Sequence, residues 1–421
     1  MAALYLLAGV NHFISPDFYA KMIPDYIPYS RFLVYLSGGI EIILAIGVVL
    51  PNTKKIAAWG IVFMLIAVFP ANLNMALNAN DWDISKISLY SRLPFQLFLI
   101  FWAWIYTRAE NREQMHITWK TKLVLLFAKI RKPIDPENDI DISQLRAKSE
   151  RASRFGFALF DSLVSVADTI DEHAGEIPIR IYKNSDNKNQ NVMIYYHGGG
   201  FVLYGLNSHD NVCRRLCSMN DCIVVSVDYR LAPEHTFPKA HDDAFHAIEW
   251  TIKNIGKFGG NPSAIILAGD SAGGNLAACM AHKCKKENIK LKAQILIYPW
   301  IDGKLDNPSI HRNGKGFMLE KETMFWFQQQ YTPDKKDHCN PLVSPCYETD
   351  FSGLAPTFII TAQFDPLLDD GFKYYNQLLQ AGNKVKYKEY KGLIHGFFNI
   401  PQISTAGMKT YYDIKEFVGT V

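Results

Sequence analysis

The sequence predicts a mostly parallel α/β sheet covered by helices on both faces, preceded by a multi-span transmembrane helical bundle. Three observations predict it. Long apolar stretches are confined to residues 1–107. Past residue 176, β-branched apolar runs alternate with helical patterns, the signature of strands buried on both sides. Glycine-rich turns then stand at the ends of several of those runs, where open parallel sheets place their ligands.

The bundle comes first. Residues 32–50, FLVYLSGGIEIILAIGVVL, and 56–77, IAAWGIVFMLIAVFPANLNMAL, each have the length of a membrane helix. A third stretch reaches that length if it runs from Ile87 to Tyr106. Residues 1–13 are apolar but short, so three or four helices are expected, the first one curtailed. No basic region precedes them, unlike a signal peptide. Lys54, Lys55, Arg108, Arg112, Lys120 and Lys122 share one side if every span crosses. The opposite side holds Lys21, Arg31 and Lys86 among several acids. This bias predicts an integral membrane protein whose C-terminal part faces the cytosol. Glu41 is the exception inside the apolar stretches; a charge there needs a partner, and His12, Asn72 and Arg92 are the candidates. The segments LLAGVNHF (6–13), FYAKMIPDYIP (18–28), SGGIEIILAIGVVL (37–50) and FPANLNMAL (69–77) resemble the DoxX-like membrane proteins. That resemblance implies a compact helical bundle and little chemistry.

Residues 108–147 read as a basic and amphipathic connector followed by a linker. Within it, TWKTKLVLLFAKI (118–130) suits either a membrane surface or the face of a soluble domain. Residues 148–421 form the second domain, with one or two helices at 148–170. Its expected strands are 177–183, 192–197, 222–229, 264–269, 293–299, 357–363 and 384–390. Helices are expected at 241–257, 272–286, 320–330 and 368–381.

Composition narrows the function. Charged residues are 20% of the chain and the formal net charge is +3, which gives no footing for a nucleic-acid partner. The seven cysteines all lie after residue 212 and fit no metal framework, so no metal or cofactor is expected; reduced, buried thiols are the simplest reading.

GDSAGG at 269–274 follows the strand at 264–269 and opens a helix. It contains Gly269, Ser271 and Gly273 in G-x-S-x-G spacing, where a serine rides a tight strand-to-helix turn that leaves no room for side chains beside it. HGGG at 197–200 also follows a strand. Successive glycines let backbone N–H groups converge on one point, which makes Gly199 and Gly200, with the N–H of Ala272, candidate donors to an oxyanion. His197 and Gly198 shape that loop, and Asp270 the elbow. An acid and a histidine must follow the serine in that order. Asp365, in FDPLLDDG (364–371), stands in the loop after its strand, whereas the rivals Asp369 and Asp370 begin a helix. His395, in KGLIHGFFN (391–399), is the last histidine of the chain. The expected chemistry is attack by Ser271 on an ester carbonyl, with His395 as base, Asp365 holding its tautomer, and an acyl-enzyme that water releases.

These segments, with VVSVDYRLAPEHTFPKAHDD (224–243), LAPTFIITAQFDPLLDDG (354–371) and GLIHGFF (392–398), resemble the hormone-sensitive-lipase-like and arylacetamide-deacetylase-like α/β hydrolases over residues 150–421. The resemblance implies the same triad and donors, and a cap built from residues 148–170 and part of 303–336. The expected function is a membrane-anchored esterase or lipase whose partners are a hydrophobic ester substrate and the lipid bilayer. Amide hydrolysis, and a transporter or scaffold role centred on the bundle, are the alternatives.

Overall fold

The structure is a computed structural model that describes residues 2–49, 53–82, 84–107, 117–130, 140–160 and 162–421. It divides into two compact units, Met1–His116 and Ile117–Val421.

The first unit is helical: α1 (Ala2–Ile14), α2 (Pro16–Ala20), α3 (Ser30–Val49), α4 (Lys54–Leu77) and α5 (Lys86–Thr107). Glycines let α1 and α3 touch, since a Cβ on Gly9 would lie 2.7 Å from the Gly38 carbonyl oxygen. Among the described residues, Ser30–Val49 and Ile56–Leu77 are the two helices long and apolar enough to cross a membrane. The stretch expected as a third span is helical, as α5, but it is not among those two, and it carries Lys86, Arg92 and Gln96. Gln96 is buried and donates to the Leu65 carbonyl at 2.6 Å. Glu41 pairs with none of the partners expected for it. His12 Nδ1 lies 3.1 Å from Ser37 Oγ, Asn72 donates to Gln96, and Arg92 rests against Met22.

The second unit is built on one eight-stranded sheet in the order β1-β2-β4-β3-β5-β6-β7-β8. The strands are β1 (Asp168–Ala174), β2 (Ile177–Lys183), β3 (Gln190–Tyr196), β4 (Ile223–Val227), β5 (Gly260–Asp270), β6 (Ala293–Ile297), β7 (Thr357–Phe364) and β8 (Val385–Ile394). β1 pairs antiparallel with β2, and β2 with β4; every other pairing is parallel. Its helices are α6 (Trp119–Ile130), α7 (Ile142–Phe160), α8 (Asp210–Asn220), α9 (Lys239–Asn254), α10 (Ala272–Lys286), α11 (Pro308–Asn313), α12 (Lys321–Tyr331), α13 (Leu368–Gln380) and α14 (Thr405–Gly419). The strands alternate between two cores. Val192, Ile194 and Tyr196 of β3 enter one, while Met193 and Tyr195 enter the other, because successive side chains point to opposite faces. Both faces are therefore dry, which is why these strands read as continuous apolar runs.

Two segments depart from the sequence expectation, and for a third the structure shows one of the two placements left open. The helix α7 starts at Ile142, inside the expected linker, because Asp141 accepts from the N–H of Gln144 at 3.1 Å and caps it. Residues 168–174, assigned in part to the cap helices, form β1 instead. Their polar composition hides a strand that is held by the cross-strand pair Asp171–Arg180 at 2.6 Å. Of the two placements open to 118–130, the second unit's own surface takes α6. Thr118 donates to the Ile403 carbonyl at 2.9 Å and Val124 enters a core with Phe398 and Tyr411.

Candidate active site

The site forms at the carboxyl ends of β3, β5, β7 and β8. At the end of β5 the chain reverses sharply, and Ser271 takes φ 55° and ψ −117°, a strained conformation for a residue with a side chain. The glycines around it are required by contact. A Cβ on Gly273 would lie 1.9 Å from the Tyr196 carbonyl oxygen, and one on Gly269 would lie 2.3 Å from that of Gly273. The turn is pinned by Ser271 N–H to the Ile297 carbonyl at 2.9 Å and by Trp300 N–H to the Ser271 carbonyl at 3.1 Å.

His395 follows β8 directly; the strand runs through Ile394, longer than the sequence suggested. Its Nε2 lies 3.1 Å from Ser271 Oγ and its Nδ1 lies 2.7 Å from Asp365 Oδ2. Asp365 is fully buried, and its Oδ1 accepts from the N–H of Leu367 at 2.8 Å. The carboxylate is thus fixed on one side by backbone and presents its other oxygen to the imidazole, the relay a hydroxyl nucleophile requires. The rival acids are used elsewhere. Asp369 accepts from Ser309 N–H at 2.7 Å. Asp370 accepts from Ile301 and Asp302 N–H at 2.8 and 2.9 Å, and burial pushes its carboxyl up to about 7.

The loop after β3 carries Gly199 at φ 120° and Gly200 at φ 61°, both open only to glycine without strain. A Cβ on Gly200 would strike the ring of Phe327 at 2.3 Å. Ala272 opens α10, so its N–H has no acceptor one turn back. His197 shapes this loop. It is fully buried, stacks on Tyr229 at 4.3 Å between ring centroids, and Tyr229 donates to its carbonyl at 2.6 Å. Burial, with His209 nearby, holds its imidazole down to about 3, which suits a structural group rather than a base at neutral pH. Gly198 N–H donates to Asp270 Oδ1 at 2.9 Å, and Tyr195 Oη donates to the same oxygen at 2.7 Å. Burial pushes Asp270 up, but His209 and these hydrogen bonds bring its net shift below the ordinary carboxylate value. Tyr195 and His209 are not singled out by the sequence; only their position in space gives them a role.

Of the expected cap, α7 lies along the loop after β3. Arg146 donates to the carbonyls of Val202 and Ala232 at 2.8 Å each. In the other part, Met324, Trp326 and Phe327 are buried, and Phe317 stacks on Phe364 at 5.0 Å.

Residues 193–399 match the α/β-hydrolase fold family. Carboxylesterase NlhH of Mycobacterium tuberculosis is 40% identical over 236 residues, 55% of this chain and 74% of that protein. Ethyl acetate hydrolase of Pseudomonas putida is 32% identical over 277 residues, 64% of this chain and 86% of that protein.

The chain belongs to the α/β-hydrolase family of esterases.

Among solved structures, a hyperthermophilic esterase from the archaeon Pyrobaculum calidifontis superposes on the hydrolase unit with a TM-score of 0.69 at 34% identity, covering 73% of this chain and 99% of that one. Residues 1–107 match a domain of unknown function, DUF8561.

Proposed function

We propose that this hydrolase is a membrane-anchored serine carboxylic-ester hydrolase acting on hydrophobic esters through an acyl-enzyme. The observation that carries the reading is the continuous relay from Ser271 Oγ through His395 to Asp365, at 3.1 and 2.7 Å. His395 takes the hydroxyl proton as Ser271 attacks the carbonyl. Asp365 holds the histidine tautomer and faces the positive charge that develops. The N–H groups of Gly199, Gly200 and Ala272 receive the tetrahedral oxyanion, and the proton passes from His395 to the departing alcohol. Water then attacks the acyl carbon and gives a proton to His395, which returns it to Ser271 Oγ as the bond to the serine breaks and the acid leaves.

The membrane reading rests on where the apolar side chains point. Ile43, Ile46, Val49, Phe63 and Ile66 are each more than half exposed in their own unit. A helix from a soluble core would bury such residues, while a membrane helix presents them to lipid. The basic residues flanking these helices and the free thiols of the hydrolase unit support a cytosolic face.

The test is hydrolysis of 4-nitrophenyl esters from two to sixteen acyl carbons in detergent micelles, with Ser271→Ala alongside. The expected result is turnover that peaks at longer chains and falls at least about 10⁴-fold in the variant. A short-chain optimum removes the lipid preference and leaves the esterase. Serine-dependent turnover of arylamides but of no ester moves the assignment to an amidase.

A further inference from the structure

We propose that His209 is a positioning residue for this reaction, tying together the nucleophile elbow, the oxyanion loop and the loop of the catalytic histidine. The proposal rests on the esterase reading above. His209 stands before the first turn of α8 and is 1% exposed. No part of it reaches the reacting atoms.

Hydrogen-bond accounting sets its role. Ser208 Oγ donates its one proton to the Gly205 carbonyl at 2.8 Å and accepts from Gly205 N–H at 3.0 Å. The remaining contact of Ser208 Oγ is His209 Nδ1 at 3.0 Å, so Nδ1 is the donor there. The other nitrogen, Nε2, lies 3.3 Å from Asp270 Oδ1. It also lies 3.3 Å from the side-chain amide of Asn399. Turning that amide over places Asn399 Oδ1, which has no partner among the described residues, against Nε2. Nitrogen and oxygen of an amide are assigned only by such partners. Both ring nitrogens then face acceptors.

The three loops meet here. Asp270 immediately precedes Ser271 and receives the N–H of Gly198 at 2.9 Å. The fit is close, since a Cβ on Gly198 would lie 2.5 Å from Asp270 Oδ2. Asn399 lies four residues beyond His395 in the chain. His209 therefore holds the carboxylate that sets Gly199 and Gly200 against Ser271, while touching the segment that carries the base. Oxyanion donors act only when fixed before the charge appears, so this tie is felt in the transition state.

The experiment compares His209→Asn with His209→Gln in the full chain. A glutamine amide nitrogen falls near the position of Nε2 and can still donate to Asp270, whereas asparagine reaches only the Nδ1 position. In His209→Asn, kcat is expected to drop about 10²-fold with KM within about twofold. Inhibition by an alkyl trifluoromethyl ketone, whose adduct places an oxyanion in the hole, weakens by the same factor. His209→Gln recovers most of both. In an Asp270→Asn background, His209→Asn adds less than about threefold, because the two act as one. Equal kcat in the Asn and Gln variants, or a His209→Asn enzyme as fast as the wild type, overturns the proposal. If His209→Asn does not fold, Asn399→Ala gives the same reading: reduced kcat at fixed KM supports it, and unchanged kcat overturns it. Absence of serine-dependent ester turnover in the wild type removes the esterase reading itself, which these outcomes do not touch.

Discussion

Glu41 in the helical unit and Asp365 in the hydrolase unit are both buried carboxylates, 8% and 0% exposed. Their surroundings differ. Asp365 has a backbone N–H on one oxygen and an imidazole on the other, and Asp270 and Asp370 are matched by donors in the same way. Glu41 Oε2 has no partner among the described residues. A buried polar group costs little net when paired and its full desolvation when not. Removing a carboxylate from the hydrolase unit should therefore lose something, and removing Glu41 should not.

The largest loss is expected at Asp365. In Asp365→Asn the side-chain carbonyl still accepts from Leu367, so the fold survives, but the amide cannot hold His395 in the tautomer that faces Ser271 with a bare nitrogen. Steady-state ester hydrolysis should fall about 10⁴-fold in kcat with KM little changed. A loss below tenfold would return Asp369 or Asp370 to the role of triad acid.

The same contrast explains what the sequence revealed. The strands β3 to β7 are legible because a parallel sheet with two dry faces demands nearly unbroken apolar runs, and the elbow after β5 is marked by glycines that steric contact enforces, Gly269 and Gly273. β1 is not legible. It is an edge strand of Asp, Thr, Glu and His whose pairing depends on Arg180, nine residues beyond Asp171 in the chain. Nor is the start of α7, which a single capping acid decides. Ser271, Asp365 and His395 could be placed by motif and by order along the chain. Their supports could not: Tyr195 and His209 meet at Asp270, and Asn399 at His209, only after the chain beyond β3, β5 and β8 has converged. In the helical unit, apolar length marked the helices, yet the partners proposed for Glu41 were wrong, because His12 turns to Ser37, Asn72 to Gln96 and Arg92 to Met22 instead.

A smaller effect, on stability, is expected at Asp370. Burial raises its folded value to about 7, above the ~3.9 of an unfolded aspartate. The folded chain thus holds this proton more tightly than the unfolded one. The stability it contributes is fully present below pH ~4 and is lost as pH rises toward 7. Asp370→Asn carries no proton to lose, so its urea unfolding series should lack that decline between pH 4 and 7, a slope of at most about 1.4 kcal/mol per pH unit. Parallel slopes in the two proteins would show that the hydrogen bonds from Ile301 and Asp302 already keep the carboxylate charged.

The smallest change should come from Glu41, and its direction is what separates the two units. Leucine has nearly the volume of glutamate and leaves no orphan oxygen between α1 and α3, whose backbones are held close by Gly9 and Gly38. Glu41→Leu should leave ester kcat within about twofold, since the substitution lies in a compact unit with its own core. It should slow hydrogen exchange of the α1 and α3 amides in detergent, by the equivalent of about 1–3 kcal/mol. Faster exchange in Glu41→Leu would mean that the carboxylate is matched after all by a group that lipid or a bound molecule supplies, and the helical unit would then hold a site of its own rather than serve only as an anchor.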